Sequence, residues 1–518
     1  MRPVLFVCKD DGWGITTKKE IATGGDFNDR ARGVGMPAFQ FDGLDVSKVW
    51  EISCSAIERI RSGQGPIFLH AQCVHFEGHF LGFQPIRIVR DPLKEMPKIA
   101  VSLTKSFLRL GGASLLERMT GLKTVMASVI TTLRDPRRDP NNDPLTRARN
   151  LTIKPGKIER TGRPTGKEYK RYPYNRPRGG AVMKTMFFTQ AADDALAQAM
   201  AEDSRIVVFG EDIPLLRRDL LVRFGPKRVR GTPISESAFL GAGVAAAMAG
   251  LRPVVEMYMV DFFGVCIDAL LNHASKIEAF SGGNWTAPVV VRAPCGGGYG
   301  DGGQHEQSLW GWLAHIPGLT VIVPSTPADV GGLMLAALKH DGPVIILEHK
   351  LLSETWLEFL GSGARETVKF DIPAEGTKGV VPQKWEPLPI GEAVLRRQGS
   401  DIAIVSIGVS VHRAFEAAKT LEAEGISASV LDLRTVSPLD KTAICKEVEK
   451  TKRLLVVDED YETFGLSGEL SAVVLEAGIT CKYARVRTQT TIPYSRHLED
   501  EVLPNVQRIC ASARQLMK

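Results

Sequence analysis

Between residues 189 and 487 short apolar runs alternate with longer amphipathic stretches, and this pattern restricts the fold of the 518-residue chain most tightly. A helix over 189–202 precedes an apolar strand over 205–209. Strands are expected at 228–230, 253–256, 288–292, 319–323 and 343–347, with helices at 261–279 and 327–340 between them. After an irregular stretch at 355–388 the alternation resumes. Strands 402–407, 427–432, 453–458 and 482–487 enclose helices 410–424, 438–449 and 465–477. Short continuous apolar runs of this kind are strands buried on both faces. Their repetition with helices means an α/β architecture of doubly wound parallel sheets. Two such blocks are expected, at 184–354 and 389–518, joined by an irregular connection over 355–388. Ligands on sheets of this kind lie beyond the carboxyl ends of the strands.

A length of 518 residues suits about three domains, and 44% hydrophobic with 24% charged residues is the composition of a soluble globular protein. No apolar run approaches the roughly 20 residues that span a bilayer, and no signal-peptide pattern is visible, so no membrane role is expected. Eight cysteines stand at long spacings without a CxxC pair, which indicates neither a zinc site nor a disulfide framework. They read as reduced thiols of a cytosolic-type protein. The net charge of +6 is unevenly placed: residues 134–180 carry fourteen Lys/Arg against five Asp/Glu, so the remainder is net acidic. With seven prolines in 134–182, the segment 134–183 reads as a basic, Pro-rich, extended linker. Its tyrosines among basic residues resemble a nucleic-acid-binding pattern, but nothing else in the chain matches such a module, and no nucleic-acid partner is expected.

The chain opens on Val4-Leu5-Phe6-Val7-Cys8, an apolar run of the type buried in a parallel sheet. A helix over 46–62, a strand over 66–73 and one or two amphipathic helices over 102–133 follow. Because a domain rarely opens on its own central strand, residues 1–133 read as the later part of a domain whose start is missing. Asp10-Asp11-Gly12 by itself reads as a turn after the strand.

Candidate chemistry gathers around Gly231-Thr232-Pro233-Ile234-Ser235-Glu236. A proline turn introduces Glu236 at the start of a helix of Ala, Gly, Val and Met that is apolar nearly all round and so is expected to be buried. The positive end of that helix favours a carboxylate in its first turn. The plainer reading is a helix start with Ser235 as the capping residue. Further on, Gly296 to His305 forms a glycine-rich loop at the end of a strand, without the Gly-Lys-Ser/Thr of a nucleotide P-loop. Its glycines allow backbone to approach a ligand closely or simply serve a flexible loop. Phe262, by pattern alone, is core.

Taken together, Thr232-Pro233-Ile234-Ser235-Glu236, the run Ala-Met-Ala-Gly-Leu-Arg-Pro at 247–253, Ser-Gly-Gly at 281–283 and Gln304-His305 resemble the beta subunit of the thiamine-diphosphate-dependent 2-oxo acid dehydrogenases, in the transketolase-like superfamily. Asp432-Leu433-Arg434-Thr435, Ser437-Pro438-Leu439-Asp440 and Ile492-Pro493-Tyr494 resemble the transketolase C-terminal domain. Cys8-Lys9-Asp10-Asp11-Gly12-Trp13-Gly14-Ile15 and Phe76-Glu77-Gly78-His79 resemble the alpha subunit of the same enzymes. The resemblance implies a fused alpha–beta dehydrogenase component, with its alpha part N-terminally truncated. It implies thiamine diphosphate and Mg2+ as cofactors, with Glu236 on the aminopyrimidine ring and Phe262 stacked against it. Asp11 and the Trp13 carbonyl become magnesium ligands, although Asp11 stands where the family has Asn and the family's opening Gly-Asp-Gly is absent. His79 and His305 become active-site histidines for proton transfer or for placing the lipoyl arm, although Phe80 replaces the usual Ser. The implied reaction is oxidative decarboxylation of pyruvate or a branched-chain 2-oxo acid, with acyl transfer to the lipoyl domain of a dihydrolipoyl acyltransferase core. The implied assembly is a homodimer or a heterotetramer-like pairing, in the bacterial cytoplasm or the mitochondrial matrix. Ketol transfer of the transketolase or deoxyxylulose-phosphate synthase type would share the fold, and a non-catalytic subunit of the complex is the remaining alternative. Lipoamide against sugar-phosphate acceptors separates the first, and cofactor binding the second.

Overall fold

The computed structural model describes residues 4–14, 17–19, 24–74, 92–109, 111–133, 139, 143–144, 146–147, 183–361 and 371–518. The chain divides into two compact units, one built on the first 80 residues with 130–182, the other on 81–129 with 183–518.

In the first unit three parallel strands stand in the order Leu5–Asp10, Ile67–Gln72, Ala38–Asp42. Helix Val46–Arg61 covers them through Ala56 and Ile60, over a small core with Phe41, Ile67 and Leu69. The opening strand is parallel, as expected, but it lies at an edge, with Phe6 46% and Val7 56% exposed. Its partner Ile67–Gln72 occupies the centre instead. The strand Ala38–Asp42 and the helix Phe27–Gly33 had no legible sequence pattern. The basic linker expected over 134–183 lies almost wholly outside the described residues. Where it is described, Arg147 Nη1 donates to Asp42 Oδ2 at 2.6 Å.

Among the described residues the second unit holds two large sheets and one two-stranded pair. The larger has seven strands in the order Thr435–Ser437, Thr320–Ile322, Val344–His349, Val290–Cys295, Arg252–Glu256, Ile206–Glu211, Val229–Thr232. Six are parallel, and Thr435–Ser437 pairs antiparallel at the edge. The five-stranded sheet runs Val394–Arg397, Ala428–Asp432, Ile402–Ser406, Arg453–Tyr461, Lys482–Thr488, with only the first strand antiparallel. One continuous apolar core joins the two sheets, from Phe263, Val291 and Trp310 to Val405, Leu431 and Leu470. Burial of these aliphatic faces is the main driving force for the arrangement. Among the described residues no helix is long and apolar enough to cross a membrane.

Four expectations need correction. The helix expected over 261–279 is instead a 3-10 turn Val260–Val265, a π-helical turn Ala269–Ala274 and a short α-helix Ile277–Phe280. The Ser237 hydroxyl takes the Val265 carbonyl out of the ladder, and Cys266 leaves the helical region at φ −135°. The stretch 355–388 is not irregular throughout. It contains helix Glu354–Gly361 and a strand Lys378–Pro382 paired antiparallel with Met183–Phe187. A partner so distant in sequence leaves no local signature. The helix Glu236–Met248 buries only the face of Phe239, Leu240, Gly243, Val244 and Ala247, leaving Ala238, Ala242, Ala245 and Met248 exposed. Small alanines carry no amphipathic signal, so periodicity cannot tell its two faces apart.

The fourth concerns the helices before the linker. The one or two helices expected over 102–133 are two, Pro92–Leu108 and Leu115–Leu133, the first beginning ahead of the expected span. Leu103 and Val125 join the core of the second unit with Leu220 and Leu221. Gly121 packs flat on the Leu221 carbonyl, 2.6 Å from where a Cβ would stand. By packing, these helices go with the second unit, whereas the sequence grouped them with residues 1–91.

Candidate active site

The carboxyl ends of five neighbouring strands in the larger sheet deliver the chemistry. Val229–Thr232 leads through the proline turn to Glu236, and Ile206–Glu211 ends on Glu211 and Asp212. Arg252–Glu256 leads to Phe262, Val290–Cys295 to the glycine-rich loop and His305, and Val344–His349 to Lys350. Parallel strands in one register bring these ends together, as the fold type requires.

Glu236 is half-buried in the first turn of its helix. The plainer expectation for Ser235 fails. It makes no side-chain cap, and its Oγ donates instead to the Ile234 carbonyl at 2.7 Å. Beside Glu236 stand two carboxyl groups that sequence reasoning had not singled out. Glu211 is 2% exposed and Asp212 9%, and Glu211 Oε1 and Asp212 Oδ2 meet no hydrogen-bond partner among the described residues. Burial, with the charges of Asp212 and Glu236 added, pushes Glu211 up to about 8. Burial pushes Asp212 up to about 7. Asp212 also holds a left-handed backbone at φ 57°, a conformation that costs a non-glycine residue free energy and concentrates at functional sites. Burial and the nearby Glu236 raise the Cys266 thiol to about 12, so it is an inert neutral wall. An acidic pair directly after an apolar strand was the available signal for Glu211 and Asp212.

On the other side of the floor the structure brings Phe262 and His305 together. Their ring centroids are 6.2 Å apart at 84°, an edge-to-face contact. The 3-10 turn that replaces the expected helix holds Phe262 half-buried, so its ring is available rather than lost in the core. Next to it Asp261 Oδ1 accepts from Gln307 Nε2 at 2.9 Å, and the Tyr461 hydroxyl reaches Gln307 Oε1 at 3.2 Å. Lys350 Nζ donates to the His305 carbonyl at 2.5 Å.

A buried ionic network lies beneath. Arg292 is bidentate to Glu348 at 2.6 and 3.1 Å and also reaches Glu256 and Asp193, which Arg217 binds as well. Burial alone would raise Glu256, but Arg217 and Arg292 hold it lowered. The network locks strand ends in register and leaves the unpaired acids, Glu211 and Asp212, above it. A second pair fixes the glycine-rich loop. His349 Nε2 meets Glu459 Oε2 at 2.8 Å, and Gly296, at φ +86°, lies so close that a Cβ would fall 1.9 Å from His349 Nε2.

In the first unit Asp11 is half-buried on the turn after Leu5–Asp10. That turn is closed by Gly12 N donating to Asp10 Oδ1 at 3.0 Å, so the turn reading of these residues holds. The backbone of Trp13 pairs with Lys18. Asp10 is committed elsewhere, to His70 at 2.7 Å and Lys19 at 2.5 Å. Among the described residues no group of three or more His, Cys, Asp or Glu side chains is placed to hold a metal. His79 lies outside the described residues.

A half-buried carboxylate at a helix N-terminus, an unpaired protonated acid beside it and an available aromatic ring suit a nitrogen heterocycle that accepts and donates protons. With the doubly wound sheet and the second α/β sheet behind it, these features define the transketolase-like class of thiamine-diphosphate proteins, and the residues present fit the aminopyrimidine of that cofactor. Comparison with known proteins agrees. Residues 184–354 match the family "Transketolase, pyrimidine binding domain", 391–509 "Transketolase, C-terminal domain" and 1–105 "Dehydrogenase E1 component". The chain is 37% identical over 348 residues to the acetoin:2,6-dichlorophenolindophenol oxidoreductase subunit beta of Cupriavidus necator, covering 63% of this chain and 96% of that one. It is 36% identical over 345 residues to the 2-oxoisovalerate dehydrogenase subunit beta of Bacillus subtilis, covering 64% and 99%. Against the pyruvate dehydrogenase E1 component subunit beta of Rhizobium meliloti it is 36% identical over 342 residues, covering 64% and 69%. Among solved structures, a split-gene transketolase, an inactive beta4 tetramer, matches with a TM-score of 0.51 at 21% identity over 64% of this chain and 98% of that one, a likeness of fold. The chain belongs to the thiamine-diphosphate-dependent 2-oxo acid dehydrogenase E1 family, with alpha-type and beta-type parts joined in one chain.

Proposed function

We propose that this E1-type chain decarboxylates a small 2-oxo acid and passes the acyl group to the lipoyl domain of a dihydrolipoyl acyltransferase partner. The observation that carries the reading is Glu236 at its helix N-terminus beside the unpaired Glu211, across from the Phe262–His305 pair. Bound thiamine diphosphate supplies the carbanion equivalent that no side chain provides. Glu236 holds a proton at the ring nitrogen of the aminopyrimidine, and Phe262 orients that ring. His305 moves a proton at the reacting carbonyl or places the lipoyl arm, and His79 is proposed for the same work. Asp11 and the Trp13 carbonyl are proposed as magnesium ligands, oxygen donors of the kind that ion prefers. They supply part of a ligand set that diphosphate oxygens and water would extend. The exposed alanine face of helix Glu236–Met248, with Val265, bonded by Ser237 of that helix, 65% exposed, supports a homodimer or heterotetramer-like assembly. Eight unpaired cysteines support a reducing compartment such as the bacterial cytoplasm or the mitochondrial matrix.

The test is turnover with thiamine diphosphate and magnesium, read with an artificial electron acceptor and then with a lipoyl domain. Pyruvate, branched-chain 2-oxo acids, acetoin and sugar phosphates are offered in parallel. Cofactor-dependent turnover of a 2-oxo acid that Glu236→Gln abolishes supports the reading. Turnover of acetoin alone, or of sugar phosphates, rejects it.

A further inference from the structure

The loop that carries His305 is held by two acids that face each other. Glu306, the next residue, is 0% exposed, and so is Glu499 on the helix Arg496–Val502. Each gives one oxygen to the loop backbone: Tyr299 N donates to Glu306 Oε1 at 3.0 Å, and Gly300 N donates to Glu499 Oε1 at 2.7 Å. Their remaining oxygens, Glu306 Oε2 and Glu499 Oε2, are buried and meet no donor among the described residues. Two ionised carboxylates cannot share a dry site without strong repulsion, whereas one proton between them makes a charge-assisted hydrogen bond.

We infer that Glu306 and Glu499 share one proton and latch the glycine-rich loop onto the C-terminal domain, which makes Glu499 a positioning residue for His305. The seam continues on both sides of the pair. Gly303 N donates to the Ile492 carbonyl at 2.8 Å and Tyr494 Oη to Gln304 Oε1 at 2.6 Å. Gly302, at φ +74°, lies against the Tyr494 ring, where a Cβ would stand 2.7 Å from it. The Tyr299 hydroxyl and Lys350 both donate to the His305 carbonyl, so the histidine backbone is gripped from the sheet side as well. The pair's charged surroundings are mixed. Arg496 Nη1 stands 3.7 Å from Glu499 Oε2 but bonds Asp500 more closely, at 2.6 Å. Lys350, Asp261 and Asp301 lie on the sheet side. Glu459 is held by His349 and Arg413 and takes Gly297 N at 3.3 Å.

Burial first, and then Glu499, pushes the Glu306 carboxyl up to about 9 from an ordinary 4.5. A raised acid in the docked state contributes its full docking free energy below 4.5 and loses it as pH rises through about 9. Across that window the ratio of released to docked loop rises by up to about tenfold per pH unit.

Hydrogen–deuterium exchange across 296–308, corrected for the intrinsic pH dependence of exchange, tests the latch on the full chain. Wild-type protection should fall as pH rises toward 9, while Glu306→Gln, whose carboxamide donates to Glu499 without titrating, should keep it. Glu499→Gln should behave likewise, and Glu499→Ala should lose protection at every pH. Glutamine variants that lose protection in step with the wild type, or an alanine variant as protected as the wild type, would overturn the proposal. The consequence for turnover rests on the proposed function: the alkaline limb of the decarboxylation profile should move up by at least one pH unit in Glu306→Gln. A wild-type chain without decarboxylase activity would reject that function and leave the exchange result intact.

Discussion

Glu211→Gln should make the protein more stable, and only above a definite pH. Glu211 is 2% exposed, one of its oxygens has no partner among the described residues, and its carboxyl is pushed to about 8 by burial, Asp212 and Glu236. In the unfolded chain the same group titrates near 4.5. At pH 7 the folded state therefore keeps a proton that the unfolded state has released. With about 1.4 kcal/mol per pKa unit, this costs about 3 kcal/mol at pH 7 and about 4 kcal/mol at pH 8, levelling off near about 5 kcal/mol above it. Below pH 4.5 both states are protonated and the cost vanishes. Glutamine has the same shape and does not titrate. Thermal denaturation without cofactor, run at about pH 5 and about pH 8, gives the comparison. The variant should melt well above the wild type at the higher pH and close to it at the lower. An equal gap at both pH values would refute the reasoning, because it would show that the ionisation of Glu211 plays no part in stability.

Other outcomes follow from the same geometry. Glu236→Gln should leave melting nearly unchanged and lower decarboxylation by a factor of about 100 or more, and wild-type turnover in steady-state assays would remove it from the mechanism. Phe262→Ala should weaken thiamine diphosphate binding by about fivefold to tenfold, read by titration calorimetry; an unchanged Kd would rule out stacking on this ring. Gly296→Ala forces a Cβ to within 1.9 Å of His349 Nε2 at a positive φ, and should cost at least about 3 kcal/mol in denaturation experiments. Nicking within the basic stretch 148–182 should leave the N-terminal fragment bound to 183–518, because Leu103 and Val125 share a core with Leu220 and Leu221. Separation of the fragments on native gel filtration would contradict that packing.

The sequence alone determined the α/β class, the two blocks of alternating strands and helices, and most strand positions in the second unit. Runs such as 343–347 and 402–407 are apolar enough to fix their own identity, since period and composition are local properties. Motif words also marked Glu236, Phe262 and His305 as candidates. What no local pattern contained was the company these residues keep. Glu211 and Asp212 became notable only when sheet order set their strand beside the one leading to Glu236. Phe262 became available because the Ser237 hydroxyl and Cys266 break the helix expected around it. Lys378–Pro382 is a strand only because Met183–Phe187 pairs with it, and Glu306 meets Glu499 across 193 residues of chain. Pairings of this kind are decided by tertiary packing: burying one polar group requires a partner, and the partner's place in sequence is set by the topology of the whole sheet rather than by its neighbours.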